Sequence, residues 1–193
     1  MSPKKCGTIA IVGQPNVGKS TLLNYFVGTK LSITSRKAQT TRYQLLGIHS
    51  EDNTQYIFVD TPGYQLRHLN MMNRGLNKTV QQVLNDVDVI LFLIQPGVLD
   101  EIDKKILDMM PQETPIVLAI NKVDLMKDKN KLLEFISELD GIGRFTTIIP
   151  TSVKKTNNLK PLMQALKSFL PAQDFIFNED ELTDKNERFL SAE

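Results

Sequence analysis

Eight residues near the N-terminus combine glycines, a lysine and a serine at a spacing suited to binding phosphate. They are Gly13, Gln14, Pro15, Asn16, Val17, Gly18, Lys19 and Ser20. Glycine lets backbone N–H groups approach phosphate oxygens without interference from a Cβ atom. A helix that begins here would direct the positive end of its dipole at the same anion. The pattern predicts a P-loop in which Lys19 neutralises the β- and γ-phosphates and the Ser20 hydroxyl binds Mg²⁺.

A second motif, Asn121-Lys122-Val123-Asp124, follows an apolar run and could distinguish guanine from adenine. Guanine presents two donors side by side, N1–H and the N2 amino group, and the Asp124 carboxylate can accept both. Adenine has an acceptor at N1 and no amino group at position 2, so Asp124 would be left poorly paired. We expect this difference to give discrimination of roughly 10³ or more. The alternative interpretation is that Asn121 and Asp124 cap the helix that follows.

Three further stretches lie at positions where a nucleotide site needs polar groups. In Asp60-Thr61-Pro62-Gly63, the carboxylate could hold a Mg²⁺-bound water and the Gly63 N–H could meet the γ-phosphate. The same tetrapeptide would also make a good β-turn. Thr41 is predicted to complete the Mg²⁺ shell, with Thr40 as the alternative. The stretch 151–153 is expected to offer a backbone N–H to guanine O6.

These loops need a scaffold, and short apolar runs that alternate with helical patterns predict a wound parallel sheet. We predict strands at Thr8–Val12, Gln44–His49, Tyr56–Val59, Val87–Ile94, Ile116–Ile120 and Thr146–Pro150, the second and third forming an antiparallel hairpin. We predict helices at Lys19–Val27, Asn70–Leu84, Asp100–Met109, Asn130–Leu139 and Leu159–Leu170, with Asp100 as an N-cap. The fold class is therefore α/β, with a doubly wound, mostly parallel sheet of six strands flanked by about five helices.

Composition limits the classes of protein to which the chain could belong. The net charge of +1 gives no general reason to expect nucleic acid or an anionic membrane as a partner. The single cysteine, Cys6, cannot form an intrachain disulfide, and we expect it to be a small buried residue in a reducing cytoplasm. The longest apolar stretch is too short to span a membrane. The pattern changes after residue 172, so we predict a GTP-binding domain at 1–172 and an acidic linker or tail at 173–193.

Taken in order, these five stretches resemble a translation-factor-type GTPase, and in detail they resemble the Era family. The finer match runs from Ile33 to Arg42 (sequence ITSRKAQTTR), then through Asp60–Gly63 and Asn121–Asp124, and the closing stretch Thr183–Glu193 looks like the segment that joins the two Era domains. The resemblance covers nearly the whole chain. It implies a P-loop NTPase of the Ras-like G-domain type whose C-terminal KH domain, an RNA-binding module, is absent from this chain. One departure is Val153, which stands where alanine is usual.

The resemblance implies a GTP-hydrolysing switch that uses GTP/GDP and Mg²⁺ and acts in small ribosomal subunit assembly. Its implied partners are small-subunit ribosomal RNA, the small ribosomal subunit and the inner membrane face. Nucleotide-binding residues are expected to be Gly13, Asn16, Val17, Gly18, Lys19, Ser20, Thr21, Asp60, Gly63, Asn121, Lys122, Asp124, Thr151, Ser152 and Val153. Metal ligands are expected to be Ser20, Thr41 and Asp60, and residues acting in catalysis Lys19, Thr41, Gly63 and Asn16.

Two residues bear on the rate of hydrolysis. Tyr64 stands where Ras-like enzymes carry the glutamine that orients the attacking water, so slow hydrolysis is expected, roughly 10⁻⁴ to 10⁻² s⁻¹. In related GTPases with this P-loop, the residue at Asn16 helps to hold K⁺, and we take this as a hypothesis beside the reading of Asn16 as a turn residue.

Three alternatives remain open from the sequence. The chain could be a P-loop ATPase, or a GTPase of the Der or tRNA-modification groups, although Thr40-Thr41-Arg42-Tyr43 replaces the Val-Thr-Arg-Asp usual there. It could also be a binding module in which GTP sets the conformation without meaningful turnover.

Overall fold

The computed structural model describes residues 3–28, 39–40, 43–60 and 81–178, with residues 27–28, 39–40, 43–45 and 60 described by their backbone alone. The strands are β1 Lys5–Gly13, β2 Gln39–Thr40, β3 Tyr43–Glu51, β4 Thr54–Asp60, β5 Val89–Ile94, β6 Ile116–Ile120 and β7 Thr147–Pro150. The helices are α1 Lys19–Gly28, α2 81–86, α3 Glu101–Asp108, α4 Lys129–Gly141 and α5 Leu159–Phe169, with a short 3₁₀ helix at Val123–Leu125.

The strands form one sheet in the order β2-β3-β4-β1-β5-β6-β7. Strand β1 pairs in parallel with β4 and β5, and the parallel ladder continues through β6 to β7. Strands β3 and β4 form the predicted antiparallel hairpin, with a bulge between Leu45 and Gly47. The six predicted strands are all present, and β2, only two residues long, adds a seventh at the edge of the described sheet.

The sheet has an apolar core on each of its faces, which confirms the doubly wound architecture. Alternate residues of β1 belong to the two cores: Ala10 and Val12 pack on one face, and Ile9 and Ile11 pack on the other. Every residue of β5 and β6 is buried, as expected for central parallel strands covered by helices on both sides. Cys6 is also fully buried, as predicted, and burial raises the pKa of its thiol.

Two helices in the second half of the chain begin at aspartate caps. The Asp100 side chain accepts hydrogen bonds from the backbone N–H groups of Ile102 and Asp103, which confirms the predicted N-cap of α3. Asp128 caps α4 in the same way, accepting from the Asn130 N–H at 2.9 Å. Both caps fix where the loops that precede these helices end.

The chain that follows α5 packs back across the sheet at the end opposite the P-loop. Ala172 bridges to Lys5 at the start of β1. Gln55 of β4, which has no exposed surface, accepts hydrogen bonds from the N–H groups of Ile176 and Phe177 at 3.1 Å each. Its own amide donates to the Phe177 carbonyl at 2.9 Å. The described contacts thus continue to Phe177, while the domain boundary after residue 172 stays a prediction.

Within the described ranges, none of the helices is both long and apolar enough to cross a bilayer.

Candidate functional site

The predicted site residues come together at one edge of the sheet because parallel strands end there. Gly13 ends β1 and Asp60 ends β4, while Asn121 directly follows β6 and Thr151 directly follows β7. Strand β1 has β4 on one side and β5 on the other, so the order in which strands are added to the sheet reverses at β1. Ligands of open α/β sheets bind in the crevice at such a point.

The loop between β1 and α1 adopts backbone conformations that need its glycines. Gly13 and Gly18 have φ angles of 148° and 108°, in the region that side chains disfavour. A Cβ atom on Gly18 would stand 2.2 Å from the Asn121 amide nitrogen, and one on Gly13 would stand 2.3 Å from the Leu93 carbonyl oxygen. The two glycines therefore allow other parts of the protein to pack closely against the loop, and they also leave space for a phosphate.

Lys19 turns back over the loop that precedes it. Its ammonium donates to the carbonyl oxygens of Gly13 at 2.7 Å and Gln14 at 2.6 Å. These two bonds fix the ammonium beside the backbone of the P-loop, where the sequence predicts phosphate. Ser20 and Thr21 follow in the first turn of α1 with exposed side chains, and that turn contains no acidic residue to oppose an anion.

Asn121 joins the P-loop to the loop after β7. It is only 3% exposed; its amide donates to the Val17 carbonyl at 2.8 Å, and its side-chain oxygen accepts from the Val153 N–H at 3.1 Å. Its backbone N–H continues the sheet by donating to Ile94. A buried amide that satisfies a backbone acceptor on one side and a donor on the other holds both loops in fixed relation.

Lys122 and Asn16 form a second link across the same edge. Lys122 has a left-handed backbone, with φ 67°, and its ammonium donates to the Asn16 carbonyl at 2.6 Å. The Gln95 amide reaches that carbonyl at 3.4 Å. Asn16 itself has φ 64°, so the turn role foreseen for it is present in the backbone.

Asp124 is exposed and lies in the short 3₁₀ helix Val123–Leu125. One of its carboxylate oxygens accepts a hydrogen bond from the Ser152 hydroxyl at 2.5 Å. Because Asp128 caps α4 and the Asn121 side chain bridges two loops, neither Asn121 nor Asp124 caps that helix. The capping interpretation of this motif was therefore wrong, and the Asp124 carboxylate is not needed to cap α4.

The three residues after β7 are buried and their backbone donors are engaged within the protein. Thr151 N–H donates to Ile120, Ser152 N–H to Asn157, and Val153 N–H to the Asn121 side chain. A contact from Val153 to guanine O6 stays a prediction, and it would require this N–H to share or exchange its present bond.

Several predicted site residues cannot be placed in this way. Thr41, Gly63 and Tyr64 lie outside the described residues. Thr40 and Asp60 are described by their backbone only, as the ends of β2 and β4. Among the described residues there is no cluster of three or more acidic, histidine or cysteine side chains that could hold a metal. Ser20 offers a hydroxyl oxygen of the kind that Mg²⁺ accepts.

Two residues at this edge have contacts that sequence reasoning did not foresee. The side-chain amide of Gln14, in the P-loop, donates to Asp100 Oδ1 at 2.7 Å. Asp100 was recognised only as a helix cap. Desolvation raises the pKa of Asp100, but hydrogen bonds from Gln14 and from the N–H groups of Asp103 and Ile102 lower it below its ordinary value overall. No signal in the sequence links positions so far apart, because only the sheet order brings them together.

Comparison with known proteins agrees with this geometry. The family model for 50S ribosome-binding GTPases matches residues 8–122. GTPase Era of Nitrosomonas eutropha is 47% identical over 189 residues, which cover 98% of this chain and 64% of that protein. GTPase Era of Chromobacterium violaceum is 45% identical over 192 residues, covering 100% of this chain and 65% of that protein. The chain thus spans about two thirds of the length of these relatives.

Solved structures of Era share the fold. A tyrosine-to-alanine variant of Aquifex aeolicus Era bound to GDP·AlF₄⁻ aligns with a TM-score of 0.73 at 37% identity, covering 97% of this chain and 64% of that one. Era in complex with MgGDPNP and nucleotides 1506–1542 of 16S ribosomal RNA aligns with a TM-score of 0.72 at 38% identity, covering 92% and 61%. The resemblance to Era GTPases is confirmed.

Proposed function

This chain belongs to the family of 50S ribosome-binding GTPases, and from that premise we propose that it binds GTP with Mg²⁺ and hydrolyses it to GDP as an Era-type switch. The single observation that carries the proposal is the placement of Asp124. Its carboxylate is exposed at the edge of the sheet where the P-loop lies, and it is oriented by Ser152.

The proposed guanine selectivity follows from hydrogen-bond polarity. An ionised carboxylate only accepts hydrogen bonds. Guanine offers it N1–H and the N2 amino group, whereas adenine offers an acceptor at N1. Asn121 and Lys122 support this reading because both tie the base-recognition motif to the P-loop, at Val17 and Asn16. Two direct side-chain contacts therefore hold the proposed base-recognition motif at a fixed distance from the P-loop.

For hydrolysis, Lys19 would stabilise the charge that develops on the phosphate oxygens. Ser20, Thr41 and, through water, Asp60 would hold Mg²⁺, which neutralises phosphate charge when bound, and the Gly63 N–H would meet the γ-phosphate. Water attacks the γ-phosphorus directly, and the bond to the β-phosphate oxygen breaks. Since Tyr64 has no amide to orient that water, we expect slow turnover, about 10⁻⁴ to 10⁻² s⁻¹.

Asn16 is the proposed point of contact for a K⁺ ion near the transferring phosphate. Its left-handed backbone already gives it a structural role, so the hypothesis rests on its side chain alone. Equal GTP turnover in matched KCl and NaCl would refute a role for K⁺ and leave Asn16 as a turn residue.

We further propose that the protein of which this chain is the GTPase domain acts in small ribosomal subunit assembly. The support is its similarity to Era proteins, one of which has been solved with 16S ribosomal RNA. About a third of the length of each of these relatives lies outside the match, which leaves room in them for an RNA-binding domain. The contact with the inner membrane face implied by the family is proposed for that whole protein.

The proposal can be tested by calorimetry. The nucleotide-free chain is titrated with GDP and, separately, with ADP, each in the presence of Mg²⁺. We expect tight binding of GDP and no measurable heat from ADP. Comparable binding of both would contradict guanine recognition. A phosphate-release assay with excess GTP then separates a slow enzyme from a binding module without turnover.

A further inference from the structure

The P-loop is attached to helix α3 by one side chain. Gln14 lies in the P-loop and Asp100 caps α3, and the Gln14 amide donates to Asp100 Oδ1 at 2.7 Å. The same oxygen accepts the N–H groups of Ile102 and Asp103 at 2.9 Å each. A carboxylate fixed by two backbone donors is a rigid acceptor, and a hydrogen bond to a charged acceptor is stronger than one between neutral groups.

The backbone of Gln14 is engaged as well as its side chain. Its carbonyl oxygen accepts the Lys19 ammonium at 2.6 Å, the shorter of the two bonds that place this cation. Gln14 therefore connects α3 to Lys19: its amide contacts the helix cap, and its carbonyl contacts the lysine.

The first turn of α3 also contains a buried carboxylate, that of Asp103. Asp103, in the first turn of α3, is only 5% exposed, and its Oδ1 atom has no hydrogen-bond partner among the described residues. Burial raises its pKa, and a hydrogen bond with the Gln14 side chain acts in the opposite direction. A buried, incompletely paired carboxylate costs stability, and such costs are retained most often at functional positions.

We propose that Gln14 is a positioning residue for Lys19, and that the bond from its amide to Asp100 latches the P-loop in the shape that binds nucleotide phosphate. The inference rests on the proposed function, because it assumes that the P-loop binds a nucleotide. Without the latch, the nucleotide-bound loop opens more often into shapes that do not hold phosphate, so the nucleotide dissociates faster and the apparent affinity falls.

A double-mutant cycle tests the latch. Gln14→Ala removes the amide, and Asp100→Ser keeps a good N-cap but is too short to reach Gln14. The control is Asp128→Ser, the same change at the exposed N-cap of α4. Release of a fluorescent N-methylanthraniloyl GDP is followed after addition of excess GDP, and thermal unfolding of each nucleotide-free variant is recorded beside it.

We expect each single change at the latch to speed release by roughly twofold to tenfold, the range of one hydrogen bond to an exposed carboxylate. The double variant should release no faster than the faster single variant, because both changes remove the same bond. Asp128→Ser should leave release unchanged. Unchanged release in the latch variants, or effects that multiply in the double variant, would overturn the proposal.

Reversal of the polarity of the bond separates positioning from a general structural role. Gln14→Glu places a carboxylate against Asp100 and should speed release at least as much as alanine does. Adding Asp100→Ser removes the second carboxylate while keeping a capping oxygen, so the combined variant should release nucleotide no faster than Gln14→Glu alone. Faster release in a combined variant that melts normally would contradict the latch. If the parent chain itself binds no GDP, the proposed function fails and the latch falls with it.

Discussion

Replacing Asn121 by alanine removes the side chain that joins the P-loop to the loop after β7. The change leaves the Val17 carbonyl and the Val153 N–H without their partners in a position where Asn121 is 3% exposed. Each buried backbone group left unpaired costs about 1–3 kcal/mol, and water entering the space made by truncation reduces the cost. We therefore expect the free energy of unfolding to fall by about 2–4 kcal/mol.

Urea unfolding followed by circular dichroism measures this loss directly. For a domain of this size it corresponds to a fall in melting temperature of about 4–16 °C. The matched control is Asn157→Ala, which truncates an exposed asparagine in the neighbouring loop and should change stability by less than about 0.5 kcal/mol. Asn121→Asp keeps the acceptor for Val153 but turns a carboxylate oxygen towards the Val17 carbonyl, so it should also destabilise the chain. If Asn121→Ala costs no more than the control, the two bonds are not the support that the structure indicates.

Three further predictions concern other buried side chains. Burial raises the pKa of Tyr56 to about 12, so a tyrosine ionisation near that pH should vanish in Tyr56→Phe. The stability that the neutral phenol contributes should be lost as pH rises from about 10 to about 12. Burial also raises the pKa of Asp103, so its ionisation costs stability at neutral pH. Asp103→Asn should therefore be more stable than the parent at pH 7, and the difference in stability between them should shrink as pH falls towards about 4. A rise in that difference on acidification would contradict the assignment. Gln55→Leu should speed hydrogen exchange at the N–H groups of Ile176 and Phe177 by about tenfold, since both donate to Gln55, and an unchanged rate would mean that the segment is held by its apolar contacts alone.

Local chemistry and periodicity were sufficient to predict most of the scaffold. The apolar run of β6 has the bounds Ile116–Ile120 in both the prediction and the structure, because a strand buried on both faces must be apolar throughout. Asp100 was predicted as a cap because aspartate before an apolar-periodic run satisfies the first N–H groups of a helix. The two-residue strand Gln39–Thr40 was not predicted, since so short a segment has no periodicity to detect.

Long-range contacts explain what the sequence could not provide. The motif at 121–124 predicted the chemistry of base recognition, but its spacing could not show that Asn121 supports Val17 and Val153. Gln14 was only a variable position in a phosphate-binding pattern until the sheet brought Asp100 beside it. The segment after residue 172 looked like a linker because it is polar, yet the buried Gln55 pairs with its backbone. In each case the partners come from strands or loops whose proximity depends on the complete fold.

The most direct test of the central claim is the base preference of Asp124→Asn. Xanthine carries a carbonyl where guanine carries its N2 amino group, so an amide donor at position 124 should favour xanthosine nucleotides over guanosine nucleotides. Competition of GDP and xanthosine diphosphate for the variant, measured beside the parent chain, gives this preference. We predict that guanine is preferred by the parent and that the preference shifts towards xanthine in the variant by roughly 10²-fold or more, as expected when a donor–acceptor pair is reversed in a site built for the other polarity. An unchanged preference for guanine would show that Asp124 does not recognise the base.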